Sequence, residues 1–184
     1  MIIGLSGYAR SGKDEVAKVL VSEFNFERVA FADAIRDLLY LMNPMIDITP
    51  LQTMVEALGW DATKKHPDVR RYLQDLGVGA RKLFGKDFWV NQALNPHLYE
   101  HPIVGVNKNI VVTDVRFENE ADIVKSIGGQ VWRIRRNGVD PVNQHVSEIA
   151  LDDYKFDQIL KNEGSLDELR ELVRTRVNLS LNAD

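Results

Sequence analysis

Residues 7–14 read GYARSGKD, and the stretches on either side decide how that octet can fold. Before it stands Ile2-Ile3-Gly4-Leu5-Ser6, an apolar run of strand length. After it, Glu15-Val16-Ala17-Lys18-Val19-Leu20 has the spacing of an amphipathic helix. A glycine-rich turn between a buried strand and a helix aims backbone N–H groups and a helix N-terminus at one point, which makes an anion site. The octet matches the phosphate-binding pattern G-x-x-x-x-G-K-[ST] except at its last position, where Asp14 stands in place of a hydroxyl residue. Gly7 and Gly12 allow backbone shapes that a side chain would obstruct. Lys13 reaches phosphate oxygens as a point charge, and Ala9, Arg10 and Ser11 fill the turn. A carboxylate beside a polyphosphate is repelled unless a cation lies between them, so Asp14 reads as a Mg²⁺ holder, directly or through water. A carboxylate in a first helical turn is also favourable with no metal at all, and the two roles are compatible.

The rest of the chain keeps the same rhythm. Apolar runs at Ile2–Leu5, Arg28–Phe31, Ile110–Val112, Gln130–Ile134 and, more weakly, Lys155–Ile159 alternate with helical spacing at Asp14–Phe24, Glu118–Ile127 and Ser165–Val177. Buried strands alternating with helices predict an α/β chain with a parallel sheet covered on both faces. Gly128-Gly129 ends one helix; Ser165 with Glu168 three residues on forms a capping box for the last one. Between Asp33 and Leu98 there is no good strand, only helical pieces at Asp33–Met42, Pro50–Leu58, Asp68–Phe84 and Asp87–Leu94. The tail Leu179–Asp184 is expected to fray.

Composition narrows the partners. The 184 residues carry a net charge of −4, so no general attraction to nucleic acid or anionic lipid is expected. With no cysteine, thiolate metal sites and cysteine nucleophiles are excluded. No apolar run is long enough to span a bilayer, and Met1 leads straight into a strand, so the expectation is one soluble cytoplasmic domain.

A second element bears on the metal. Asn109-Ile110-Val111-Val112-Thr113-Asp114 is an apolar strand ending in a carboxylate, and in phosphate-loop proteins such an Asp lies beside the loop and orients Mg²⁺. Arg116 follows in VTDVRFENEAD, placed to pair with a phosphate. Its plainer account is a salt bridge to Glu118 or Glu120.

With these pieces in view the chain resembles the deoxynucleoside monophosphate kinases of tailed phages, within the wider nucleoside monophosphate kinase group. The stretches that carry the resemblance are GLSGYARSGKD, VAFADAIRDLL, RRYLQDLGVGARKLFGKDFWV, VVTDVRFENEADIVKSIGGQVWRI and HVSEIALDDYKFDQILKN, in that order and over almost the whole length. It implies a three-layer P-loop kinase fold, with a central parallel five-stranded sheet flanked by helices. The chain 1–184 is then a single domain: core 1–32, 99–135 and 149–178, a helical acceptor-binding region 33–98 and a short lid 136–148. The implied cofactors are ATP and Mg²⁺, held with Asp14 and Asp114. The implied substrate is a deoxynucleoside 5′-monophosphate, and a homodimer is the implied assembly to test. Members carry Asp at the position of Asp14 and commonly Thr at that of Glu15, so the residue completing the metal shell stays open between Asp14, Glu15 and others.

The resemblance also distributes roles. The acceptor's nucleophile would be a phosphate oxygen already ionised at neutral pH, so no general base is needed and placed cations do the work. Lys13, Arg116, Arg133 and Arg136 are the expected catalytic cations. Asn162 is expected to contact adenine, and Asp33, Arg36, Gln74, Arg81, Trp89 and Arg116 to bind the acceptor. His145 with Ser147 and Glu148 would order the lid. Simpler accounts stand beside these: Asp33 as a helix N-cap, Trp89 as a core residue. Two other functions fit the same residues. One is a kinase acting on a hydroxyl, in the manner of dephospho-coenzyme A kinase, with Asp33 as base; the other is a nucleotide-binding module without transfer.

Overall fold

Along the chain the elements run β1 (Ile2–Ser6), α1 (Lys13–Phe24), β2 (Phe26–Val29), α2 (Phe31–Met42), β3 (Met45–Ile46), β4 (Thr49–Pro50), α3 (Leu51–Leu58), α4 (Trp60–Thr63), α5 (Pro67–Phe84) and α6 (Phe88–Tyr99). They continue as β5 (Asn109–Val112), α7 (Glu118–Ser126), β6 (Gln130–Arg135), β7 (Gln158–Lys161) and α8 (Leu166–Leu181). This computed structural model describes residues 1–99, 109–141 and 149–181. The chain forms two units, Met1–Ala30 with Tyr99–Asp184, and Phe31–Leu98.

The first unit is built on a five-stranded sheet in the order β2-β5-β1-β6-β7, with every neighbouring pair parallel. Successive residues of a strand face opposite sides. Ile3 and Leu5 of β1 join Val16, Val19 and Leu20 of α1 and Leu169, Val173 and Val177 of α8 in one buried cluster. Gly4, between them, faces Val124 of α7 on the other side. The result is three layers, helix on sheet on helix. Strand β1 lies between β5 and β6; the crossover leaving β1 runs to β2, and the one leaving β5 runs the opposite way, to β6. In open α/β sheets that switch point, at the carboxyl ends of the strands, is where ligands bind. GYARSGKD follows β1 at that end, and Asp114 follows β5.

Several boundaries differ from the sequence reading. Strand β2 starts at Phe26, and Phe31 already opens α2, so the run Val29-Ala30-Phe31 is apolar because all three are buried, not because all three are extended. Strand β7 sits at Gln158–Lys161 and not at Lys155–Ile159; as an edge strand it buries only Leu160 and presents little periodic signal. Helix α8 runs on to Leu181, so Leu179–Leu181 are helical where fraying was expected. Residues 182–184 lie outside the described residues. The capping box stands as read: Ser165 N–H donates to Glu168 (2.6 Å) and Glu168 N–H to Ser165 Oγ (3.2 Å).

The second unit is helical apart from the small β3–β4 hairpin, which turns at Asp47 with φ 52° and which the sequence reading did not contain. Its core joins Leu39, Ile46, Leu51 and Val69, with Trp60, Tyr72 and Leu73 packed against them. Trp89 of α6 is buried and its indole N–H donates to the Gly77 carbonyl of α5 (3.0 Å).

Candidate active site

The loop between β1 and α1 has the geometry of an anion cradle. Gly12 occupies the N-cap position of α1 with φ 110°, so no side chain caps the helix. The N–H groups of Glu15 and Val16 donate to the Gly12 carbonyl (3.1 Å each). The first amides of an α-helix lack a partner within the helix itself, and a glycine cap leaves the approach to them open. Substitution would close the cradle: a Cβ on Gly7 would lie 2.5 Å from the Ile134 carbonyl oxygen and 2.8 Å from Ser11 Oγ, and one on Gly12 2.7 Å from Asn162 Nδ2. Among the described residues Ser11 Oγ is buried with no hydrogen-bond partner. Arg10 adopts φ 67°, a conformation that holds the turn tight. Lys13 Nζ donates to the carbonyls of Gly7 (2.7 Å) and Tyr8 (2.8 Å), which places the ammonium at the loop's mouth.

A cleft opens here, lined by Ser6, Gly7, Ala9, Lys13, Asp114, Val115, Arg116, Arg133 and Leu151. The chain beyond β5 is led into it by two backbone bonds, Thr113 N–H to the Val29 carbonyl and Val115 N–H to the Leu5 carbonyl. Glu120 is buried and accepts the backbone N–H groups of Arg116 (2.7 Å) and Phe117 (3.1 Å), which fixes the start of α7 and with it the backbone of Arg116.

Arg133, on β6, is 4 % exposed. One guanidinium nitrogen donates to Ser6 Oγ (3.3 Å) and another to Asp152 (2.8 Å). The group lies over the Tyr8 ring, 4.7 Å from its centroid, and 5.5 Å from that of Phe156. Tyr8 Oη donates to the same Asp152 carboxylate (2.7 Å). Burial, reinforced by that carboxylate, pushes the Tyr8 phenol up, so it remains a donor throughout the neutral range.

The donor set fits a cation that arrives with the nucleotide. Asp14 is exposed in the first turn of α1 and Asp114 lines the cleft. Among the described residues no group of three or more His, Cys, Asp or Glu side chains can hold a metal by itself. A Mg²⁺ ion held here would take phosphate oxygens and water into its shell beside these carboxylates.

Two residues expected to touch nucleotide or metal have other partners. Glu15 is ion-paired with Arg170 of α8 through Nη2 and Nε (2.7 Å for the latter), and also lies 3.7 Å from Lys18. Its carboxylate ties α1 to α8. Asn162 is 4 % exposed and its amide donates to the Ser11 carbonyl (2.9 Å). It braces the phosphate loop through the Ser11 carbonyl.

The expected acceptor residues lie in the helical unit. Asp33 is the third residue of α2, not its N-cap, and pairs with Arg36 one turn on (2.9 Å). Gln74 and Arg81 are two turns apart on α5 and therefore share a face. Trp89 has its N–H committed to Gly77, so any contact it made to a base would use the ring alone. Arg136 is exposed just beyond β6. His145, Ser147 and Glu148, assigned to the lid, lie outside the described residues. The sequence reading missed Tyr8, Asp152 and Arg170; each meets its partner across more than 140 residues of chain, beyond the reach of any local pattern.

Residues 52–173 match the family model described as deoxynucleotide monophosphate kinase. The chain belongs to that family. The matched span begins after the phosphate loop, so loop geometry and family membership are separate observations. A putative deoxynucleotide monophosphate kinase of Acanthamoeba polyphaga mimivirus is 30 % identical over 192 residues, covering 91 % of both chains. The deoxynucleotide monophosphate kinase of Escherichia phage RB69 is 31 % identical over 126 residues, 67 % of this chain and 50 % of the phage protein. Among solved structures, a shikimate kinase from Bacteroides thetaiotaomicron superposes with a TM-score of 0.44 at 10 % identity, covering 97 % of each chain.

Proposed function

We propose that this member of the deoxynucleotide monophosphate kinase family transfers the γ-phosphoryl group of ATP to the 5′-phosphate of a deoxynucleoside monophosphate. The observation that carries the reading is the glycine-capped N-terminus of α1, facing a cleft that also holds Lys13, Asp114, Arg116 and Arg133. A cleft so furnished suits a polyphosphate, and the family supplies the acceptor class.

The attacking group is a phosphate oxygen already ionised at neutral pH, so the chain need not remove a proton. Its task is to bring two polyanions in line and neutralise the charge that develops between them. Loop N–H groups and Lys13 hold the donor's terminal phosphates, and Lys13 exchanges its bonds to the Gly7 and Tyr8 carbonyls for phosphate oxygens. Arg116 reaches the acceptor phosphate, while Arg133 and Arg136 face the transferring group. Asp14 and Asp114 orient the water shell of a nucleotide-borne Mg²⁺. When bound there, that ion would supply positive charge against the phosphates. Within the helical unit, Arg36 and Arg81 offer cations for an acceptor phosphate, with Asp33 and Gln74 for sugar and base. No helix of the described residues is long and apolar enough to cross a membrane, consistent with a soluble nucleotide pool as the source of substrate.

The test is ADP release from Mg-ATP against each common deoxynucleoside and ribonucleoside monophosphate, with dephospho-coenzyme A in parallel. Turnover with one or more deoxynucleoside monophosphates is expected. Turnover with dephospho-coenzyme A alone would make Asp33 the base of a hydroxyl kinase, and nucleotide binding with no turnover would leave a non-catalytic module. Replacing Lys13 by Met is expected to lower kcat by about 10²–10³-fold with the melting temperature little changed.

A further inference from the structure

The sequence places no role on Asp152, one of two adjacent aspartates in LDDYKFD. The structure gives it two donors from the active site: the Tyr8 hydroxyl at 2.7 Å and the Arg133 guanidinium at 2.8 Å. We infer that Asp152 is a positioning residue that sets the phosphate loop in its nucleotide-binding shape, by pinning Tyr8 within the loop and Arg133 against it. The inference rests on the phosphate-binding reading of the cleft.

Three observations support it. First, the segment that carries Asp152 is itself anchored. Leu151 is buried, Tyr154 Oη donates to Asp122 of α7 (2.9 Å), Lys125 Nζ donates to the Lys155 carbonyl (2.7 Å), and Asp157 accepts Val131 N–H of β6 (2.7 Å). Asp152 is thus presented from a fixed support. Second, its two donors meet each other, with the guanidinium lying on the Tyr8 ring, so a single carboxylate closes a three-membered contact. Third, Tyr8 is a structural residue of the loop: its carbonyl accepts both Ser11 N–H (3.2 Å) and Lys13 Nζ. Holding the Tyr8 ring therefore holds the carbonyl on which Lys13 waits. Arg133 uses Nη1 on Ser6 and Nη2 on Asp152, which fixes the guanidinium in the wall of the cleft that Gly7, Ala9 and Lys13 also line. Without the carboxylate, a cation buried to this extent is left uncompensated and must turn toward the cleft or take in water.

The test is a double-mutant cycle read by MgADP binding in calorimetry, alongside melting temperature. Asp152→Asn keeps size and an acceptor oxygen but removes the charge. It is expected to weaken MgADP about tenfold with the folded fraction unchanged. In an Arg133→Lys background the same change should cost clearly less than in the wild type, because the guanidinium it aims is gone while the Tyr8 contact remains. Tyr8→Phe deletes one hydroxyl without opening the core, and should weaken MgADP by about two- to fivefold. It keeps the inference testable if Arg133→Lys does not fold. Asp152→Asn and Arg133→Lys losses that multiply, unchanged MgADP affinity in Asp152→Asn or Tyr8→Phe, or a loss that follows the melting temperature alone would each overturn it. MgADP binding needs no acceptor. If the wild-type chain phosphorylates no deoxynucleoside monophosphate, the proposed reaction falls while this cycle still reads Asp152.

Discussion

At the scale of single residues, the phosphate loop is shaped as much by what stands behind it as by its own glycines. Asn162 donates to the Ser11 carbonyl from a fully enclosed position. Removing it strands that carbonyl, at a cost of about 1–3 kcal/mol. Asn162→Ala is therefore expected to lower the melting temperature and to weaken MgATP and MgGTP in equal proportion. A loss confined to adenine nucleotides would instead place the Asn162 amide on the base. The loop itself was legible in the sequence because every element it needs is contiguous: strand, two glycines, lysine, helix. Glu15 shows the limit of such reading. Its place beside Asp14 suggested metal chemistry, whereas its ion pair with Arg170, 155 residues away, left no local signal.

At the scale of elements, α1 and α8 are laced together along their exposed seam. Glu15 meets Arg170 near the phosphate loop, and Glu23 meets Arg174 through both carboxylate oxygens (2.7 and 2.8 Å) further along. Arg174 holds the Glu23 carboxyl below the usual carboxylate range. A depressed value means the pair's contribution is fully present above the ordinary Glu range, about 4.3, and is lost as pH falls through the folded value. Glu23→Gln should accordingly melt below the wild type at pH 7, with the gap closing in acid and shrinking in high salt. Melting curves from pH 3 to 8 check this; a gap that persists at the acid end would show that packing and not charge is responsible. Element ends were legible where the signal is local, as with Ser165 and Glu168. They were not where burial overrides pattern, as at β2, or where an edge strand buries one side chain, as at β7. The β3–β4 hairpin, two residues a side, falls below the length at which alternation can be seen at all.

At the scale of the whole molecule, the helical segment Phe31–Leu98 is inserted between β2 and β5, which are neighbours in the sheet. The sheet unit carries the phosphate loop, whereas the residues assigned to the acceptor are, Arg116 apart, in the inserted unit. Hydrogen exchange separates these assignments. MgADP should protect amides of the loop and of the start of α1, and a bound deoxynucleoside monophosphate should protect α2 and α5 around Asp33, Arg36 and Arg81. Acceptor protection restricted to the sheet unit would move the acceptor site to Arg116 and its surroundings. The parallel sheet was legible from the alternation of apolar runs and helical spacing, but its order was not, because nothing in a strand's sequence says which strand lies beside it. The placement of the three tryptophans has a practical consequence. Trp132 is enclosed in the sheet, while Trp60 and Trp89 are confined to the inserted unit. The chain thus comes with its own pair of optical channels: a variant keeping only Trp132 emits from one half of the molecule, and a variant lacking it from the other.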